Sequence, residues 1–150
     1  MQWNKSKSLK LSKACVYIFT VTMVIVAVGA PRIFTILIEK RASYLGGTLP
    51  YFLASTYTAC IPATMALYGL YRLLDNIEKG DVFIQNNVKI LRMLSWACIL
   101  AAAICLVSAV YYLPFLILAV AAGFVGLILR VVKNVFAQAV EIKNDNDFTI

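Results

Sequence analysis

The side chains of this sequence that could do chemistry are concentrated in one polar stretch, Leu74–Arg92, which reads LDNIEKGDVFIQNNVKILR. Asp75 and Glu78 are three residues apart, a spacing that places both carboxylates on one face of a helix, and Asp81 follows Gly80. Carboxylate oxygens are the ligands that Mg²⁺ and Ca²⁺ prefer, so this cluster could bind a divalent cation. A bare group of carboxylates specifies little, and we interpret it as a charged loop exposed to solvent.

Nothing else in the sequence predicts an enzyme. Histidine is absent, and the four cysteines lie in apolar runs without a CxxC pair, so no zinc site is expected. No nucleophile–base pattern and no glycine-rich phosphate loop is present. Proton pumps and ion-coupled transporters usually need an ionisable group at membrane depth, and none of the seven acidic residues lies in the middle of an apolar run. We therefore expect no catalytic residue and no cofactor or metal.

A second group of polar side chains surrounds Pro62 in the stretch ASTYTACIPAT. Pro62 cannot donate to the carbonyl of Thr58, so a bend is expected there. The neighbouring hydroxyls could line a polar groove or a small substrate site. The alternative that we favour is ordinary hydrogen bonding between packed helices and to the carbonyl freed by the proline.

The composition is that of a membrane protein. The chain has 150 residues, of which 62% are hydrophobic and 14% charged, and a soluble protein needs more polar surface than this. The length allows one domain. The formal charge of +7 is interpreted as cytoplasmic loop residues, not as a nucleic-acid-binding surface.

The apolar runs predict four transmembrane helices, near residues 14–38, 49–74, 91–110 and 113–132. Pro31 is expected to kink or end the first span, and Thr48 to cap the second, with Pro50 in its first turn. Met93–Leu129 is uncharged but too long for one span, so Pro114 is expected in the first turn of a fourth helix.

Basic residues predict the orientation. The N-terminal tail has four, the central polar stretch four and the C-terminal tail three, against three on the opposite side. Because Lys and Arg mark cytoplasmic loops, the fold class predicted is an all-α integral membrane protein of the plasma membrane, multi-pass, with both termini cytoplasmic. Residues 74–92 would then form a cytoplasmic helical hairpin, and residues 133–150 an amphipathic cytoplasmic tail.

Within this hairpin, Gly80 is expected to end the second helix in the left-handed conformation. Phe83 is expected to pack under the turn, and Asn86 or Asn87 to begin the next helix. The predicted interaction surface or hairpin scaffold comprises Asp75, Glu78, Lys79, Gly80, Phe83, Asn87 and Arg92.

The stretch LLDNIEKGDVFIQNNVKILRMLSW and the ending VFAQAVEIKNDNDFTI resemble the bacterial domain-of-unknown-function 2975 family of membrane proteins. The resemblance covers nearly the whole chain and implies four spans with an amphipathic segment between the second and third. One departure is Ile84, where the family often has Ser or Thr. Members are often encoded beside a small helix–turn–helix transcription regulator, which implies such a protein as a cytoplasmic partner.

We therefore expect a non-enzymatic regulatory protein that lies in the lipid bilayer and binds a cytoplasmic partner through residues 74–92 and 130–150. A small-molecule or peptide transport or immunity protein is the alternative, based on the Ser/Thr-rich second span. The small residues Ala119/Gly123 and Ala122/Gly126 permit close helix contact, either within the chain or in a homodimer.

Overall fold

The structure is a computed structural model that describes residues 2–41 and 43–148. It contains four α-helices, and no β-strand occurs in the described ranges. These helices are α1 Gln2–Arg41, α2 Leu49–Glu78, α3 Gln85–Ser108 and α4 Phe115–Phe148, and a short 3₁₀ turn, Ser43–Leu45, follows α1. The prediction of an all-α fold is confirmed. The last two residues of the predicted tail lie outside the described ranges.

Three of the four described helices are long and apolar enough to cross a membrane, namely α1, α3 and α4. The remaining helix, α2, has 30 residues, which is about 45 Å of helix and long enough to span. Its Ser, Thr, Tyr and Pro residues make its most apolar stretch less apolar than those of the other three helices. The membrane character of the chain is thus confirmed on three helices, and a fourth span remains a prediction.

Each helix packs mainly against its neighbours in the chain: α1 against α2, α2 against α3, and α3 against α4. Consecutive helices run antiparallel, because Lys13 near the start of α1 contacts the end of α2, and Phe83 before α3 contacts Phe136 in the second half of α4. The start of α1, the α2–α3 turn and the end of α4 therefore lie at one end of the molecule. The connections α1–α2 and α3–α4 lie at the other.

The expected positions of three prolines and of the N-cap of α2 can be compared with the structure. Pro31 does not end the first helix, since α1 continues to Arg41. Thr48 does occupy the N-cap position of α2, but its hydroxyl donates back to the carbonyl of Leu45 at 2.7 Å and accepts no bond from the helix. Pro50 does lie in the first turn of α2, whereas Pro114 lies just before α4 and not in its first turn, because the helix begins at Phe115.

The end of the molecule opposite the termini is held by an aromatic cluster. Phe52 of α2 is fully buried, and its ring lies 5.0–6.0 Å from four other rings, those of Phe34, Tyr111, Tyr112 and Phe115. Beside it the hydroxyl of Ser55 lies 2.7 Å from that of Ser108 and 2.9 Å from that of Tyr111. The aromatic cluster joins α1, α2, the α3–α4 connection and the start of α4, and the Ser55–Ser108 hydrogen bond adds the end of α3.

Small residues bring α3 and α4 together. A Cβ at Gly126 would lie 3.2 Å from Cβ of Cys98 and 3.3 Å from the carbonyl oxygen of Ser95, so no larger residue fits without movement. The hydroxyl of Ser95 donates to the carbonyl of Gly126 at 2.8 Å. Ala119 is also buried, and Gly123 faces Ala102. The small-residue face of α4 is therefore used for packing within the chain.

Candidate functional site

The α2–α3 turn is built on Gly80, which has φ +87°. The Gly80 N–H donates to the carbonyl of Ile77 at 3.1 Å, and the Asp81 N–H to that of Asn76 at 2.9 Å. These two bonds are the Schellman arrangement, which satisfies the last carbonyls of a helix and requires a left-handed residue after its end. The conformation expected for Gly80 from the sequence is confirmed.

Asn87 fixes the other half of the turn. Its side chain is fully buried, and its amide NH₂ donates to the carbonyls of Asp81 and Val82, both at 2.8 Å. Its amide oxygen accepts a bond of 2.6 Å from the side chain of Asn76. Because Asn76 also receives the Asp81 N–H, the end of α2, the turn and the start of α3 form one closed hydrogen-bonded unit. Asn87 is therefore scaffold and not contact surface.

The start of α3 is a correction to the sequence prediction. The helix begins at Gln85, not at Asn86 or Asn87, and the residue before it, Ile84, is extended with φ −127° and ψ 150°. Ile84 has no side-chain oxygen, so no side-chain cap bond forms. Asn87 instead turns into the loop and satisfies its carbonyls, which explains how the turn is ordered without a polar N-cap.

Four charges form a cluster that ties α1 to α2. The ammonium of Lys13 forms ion pairs with Glu78 and with Asp75, the latter at 3.3 Å, and Lys79 pairs with Asp75 at 2.7 Å. Hydrogen bonds from Lys79 and Lys13 hold the pKa of Asp75 below its ordinary value. Two of the three carboxylates that the sequence offered to a cation are thus held by lysines. In the described residues, no group of three His, Cys, Asp or Glu side chains could hold a metal ion.

The sequence suggested that Phe83 packs under the turn, but the structure does not place it there. Its side chain is 45% exposed, and one face of its ring packs on Phe136 of α4 at a centroid distance of 5.5 Å. Phe136 also packs on the buried cluster Ile90, Leu91 and Leu94 of α3. The ring of Phe83 is therefore partly exposed and packed on Phe136, and the exposed Lys79 and Asp81 lie within four residues of it along the chain.

The other predicted residues lie elsewhere. Arg92 is exposed on the second turn of α3 and lines a cleft with Trp96, Arg130 and Lys133. Thr58 is exposed on α2, and its hydroxyl donates to the carbonyl of Ala54 at 2.7 Å. Pro62 is buried.

Sequence reasoning missed two contributors to the site, Lys13 and Asn76. Lys13 is separated from its partners by more than sixty positions, so its pairing depends on the antiparallel packing of α1 on α2. An isolated Asn near a helix end is typical of a solvent-exposed position, so the sequence gives no sign of the bond between Asn76 and Asn87. Phe136 lies on an apolar stripe of the second half of α4 that the sequence does show, and its contact with Phe83 places this stripe against the hairpin.

In the described residues, the hairpin is a closed hydrogen-bonded turn that carries one half-exposed aromatic ring. Together with three helices able to cross lipid, it defines an α-helical membrane protein. The chain belongs to the family described as protein of unknown function (DUF2975), whose model matches residues 3–150. No curated protein and no solved structure matches it.

Proposed function

We propose that this protein is a non-enzymatic regulator of the bacterial plasma membrane that crosses the bilayer four times and binds a cytoplasmic protein through the α2–α3 hairpin. The hairpin surface is defined as Asp75, Glu78, Lys79, Asp81 and Phe83 together with the supporting Phe136.

The distribution of charge supports the orientation. Eleven of the fourteen basic residues lie at the end of the molecule that holds the α2–α3 turn, the start of α1 and the second half of α4. Positively charged loops are retained in the cytoplasm. The proposal therefore has both termini and the hairpin facing the cytoplasm, with α2 as the fourth span.

The observation that carries the proposed binding role is the half-exposed ring of Phe83. Large aromatic side chains at a surface are favoured as binding anchors when they are held rigidly and surrounded by polar groups. Phe83 has this setting: Phe136 supports it from below, and the Asn76–Asn87 network fixes the backbone on both sides. A rigid anchor loses little entropy when a partner binds.

The partner proposed is a small helix–turn–helix regulator encoded beside this protein, an idea that rests on the family resemblance. Sequestration of such a regulator at the membrane would control its access to DNA. Asp81 and Lys79 are both exposed, so charges of both signs stand near the aromatic anchor, although Lys79 also pairs with Asp75.

The test is binding of that purified regulator to the detergent-solubilised protein. The double variant Phe83→Ala/Lys79→Glu should weaken binding about tenfold or more, because an anchor and a rim charge are both lost. A matched control is Phe124→Ala/Lys40→Glu, which makes the same two changes on the lipid-facing side of α4 and at the far end of α1. Equal binding by both double variants would contradict the proposal, provided that both are recovered in the membrane fraction.

A second candidate, a transport or peptide-immunity protein, is favoured by one observation. A cavity of about 260 Å³ lies beside the polar part of α2, lined by residues that include Ser55, Thr56, Ala59 and Phe115. The test is the flux of a small molecule or peptide in proteoliposomes. A flux that is lost in Ala59→Phe, which fills this cavity, but kept in Phe83→Ala would favour transport over the regulatory function.

A further inference from the structure

A second charged site lies between α3 and α4, apart from the hairpin surface. We call it the basic cleft and define it by Arg92, Ser95 and Trp96 of α3 with Arg130 and Lys133 of α4. Its volume is about 180 Å³, several times the ~30 Å³ that a water molecule occupies, so a phosphate group fits.

The charge of this cleft is unbalanced. Three cations line it, and within the part of the chain that the structure describes none of the three forms an ion pair with a carboxylate. The hydroxyl of Ser95, on its inner wall, is committed to the carbonyl of Gly126. Like charges held around one small space repel each other, and a bound anion would relieve that repulsion.

The geometry of the arginines suits a phosphate. Guanidinium groups bind phosphate oxygens through two parallel N–H···O bonds, which an ammonium cannot do. Arg130 is held in place over the ring of Trp96, with its central carbon 5.3 Å from the ring centroid. The guanidinium group of Arg130 is therefore already oriented before any ligand binds.

The level of the cleft identifies the source of the phosphate. Arg92 immediately precedes the uncharged run Met93–Leu129, and Arg130 immediately follows it. Because α3 and α4 are antiparallel, both arginines lie at the same edge of the apolar surface. From Met93 to the end of α3 at Ser108 is about 24 Å of helix, close to the thickness of a hydrocarbon core. Trp96 is 56% exposed one turn deeper, the position of an interfacial aromatic residue.

We propose that the basic cleft binds the phosphate of an anionic phospholipid headgroup, with Arg92 and Arg130 as the principal ligands, Lys133 as a third charge and Trp96 against the upper acyl region. Basic pockets between transmembrane helices at the cytoplasmic interface are known sites for anionic headgroups. The lipid would bridge α3 and α4 at the level just below the hairpin. The cleft does not depend on the hairpin surface or on its partner.

Quenching of Trp96 fluorescence by brominated lipids tests this directly. Trp3→Phe removes the only other tryptophan of the chain, so that Trp96 alone reports. The protein is placed in vesicles that contain brominated phosphatidylglycerol or brominated phosphatidylcholine in unbrominated phosphatidylcholine, and the relative binding constant of the two lipids is obtained from the quenching.

We expect the anionic lipid to be preferred, and the preference to fall about fivefold for each arginine removed in Arg92→Gln and Arg130→Gln. The control Lys10→Gln/Lys143→Gln also removes two positive charges, but outside the basic cleft, and should keep the preference for the anionic lipid. Arg92→Lys/Arg130→Lys keeps the charge but not the fork and should give an intermediate value. Each variant is first checked for a single symmetrical peak in gel filtration.

Three results would overturn the proposal: equal quenching by both lipids in the parent protein, a preference unchanged in Arg92→Gln/Arg130→Gln, or a preference lost equally in Lys10→Gln/Lys143→Gln. Inorganic phosphate at millimolar concentration is a separate arm. If it shifts Trp96 emission in vesicles of phosphatidylcholine alone and removes the preference, the ligand is a soluble phosphate and not a lipid.

Discussion

The side-chain amide of Asn76 donates to the amide oxygen of Asn87 across the α2–α3 turn, at 2.6 Å. This single bond joins two elements that are each already tied to the loop, Asn76 through its carbonyl and Asn87 through its NH₂. The described residues contain no buried side-chain polar atom without a partner, so the network is complete. A complete buried network makes a turn rigid, whereas a partial one destabilises it.

The first prediction concerns this network. Asn87→Ala should lower the free energy of unfolding by about 1–3 kcal/mol, because the carbonyls of Asp81 and Val82 and the amide of Asn76 all lose a partner. Asn86→Ala, at the exposed neighbouring position, should change it by less than about 0.5 kcal/mol. Thermal unfolding in detergent micelles measures both, and equal losses would show that the buried amide has no special role.

The second prediction concerns Gly80, which adopts the left-handed conformation. With φ +87° and no atom within 4 Å of a Cβ built there, Gly80→Ala would suffer only from backbone strain, which should cost about 1–2 kcal/mol of stability. Gly80→Asn should cost less, because Asn tolerates the left-handed conformation. The same unfolding measurement applies. If Ala and Asn are equivalent, the turn does not need a left-handed residue.

Local sequence signals predicted the turn well but not what surrounds it. Gly80 after an amphipathic run is enough to predict a helix end, since the conformation depends on the residue itself. Whether Phe83 is covered depends on where α4 passes, and that depends on packing far along the chain. The sequence therefore placed this ring inside, whereas the structure leaves nearly half of it exposed.

The cap residues show a related limit. Thr48 and Asn86 have side chains that suit an N-cap, but propensity does not say which acceptor a side chain will meet. Thr48 reaches back to Leu45, and α3 begins after an Ile that cannot cap at all. The ion pairs of Lys13 were beyond prediction for the same reason, because they join positions that only the antiparallel packing of α1 and α2 brings together.

The third prediction concerns the contact of α3 with α4. Gly126→Ala should destabilise the protein, because the new Cβ would lie 3.3 Å or less from Cys98, Ile99 and the Ser95 carbonyl. Gly123→Ala is the matched control: its Cβ would meet Ala102 at 3.8 Å, an ordinary contact, and Ala favours helix over Gly. We expect a lower midpoint of thermal unfolding for the first variant and an unchanged or higher one for the second. A reversed order would mean that the two helices pack through another face.

The fourth prediction concerns acid. Because Lys79 and Lys13 lower the pKa of Asp75 in the folded protein, the contribution of this ion pair is complete above the ordinary carboxyl pKa of about 3.9 and is lost as the pH falls through the lower folded value. Asp75→Asn should therefore show a weaker loss of stability between about pH 5 and pH 2. Lys79→Met removes the principal partner of Asp75, so its loss of stability in acid should lie between those of the parent protein and Asp75→Asn. Parallel curves for all three proteins would contradict this assignment.

The fifth prediction separates four spans from three. In a variant without the native cysteines, Gly46→Cys lies in the α1–α2 connection and Asp81→Cys in the α2–α3 turn, and both positions are exposed. If α2 crosses the membrane, the two cysteines lie on opposite sides. A membrane-impermeant maleimide added to intact cells should then label Gly46→Cys, and should label Asp81→Cys only after permeabilisation. Labelling of both from the same side would remove α2 as a span, and labelling of Asp81→Cys alone in intact cells would invert the orientation. The first result would leave three spans, and the second would place the hairpin surface outside the cell, away from any cytoplasmic partner.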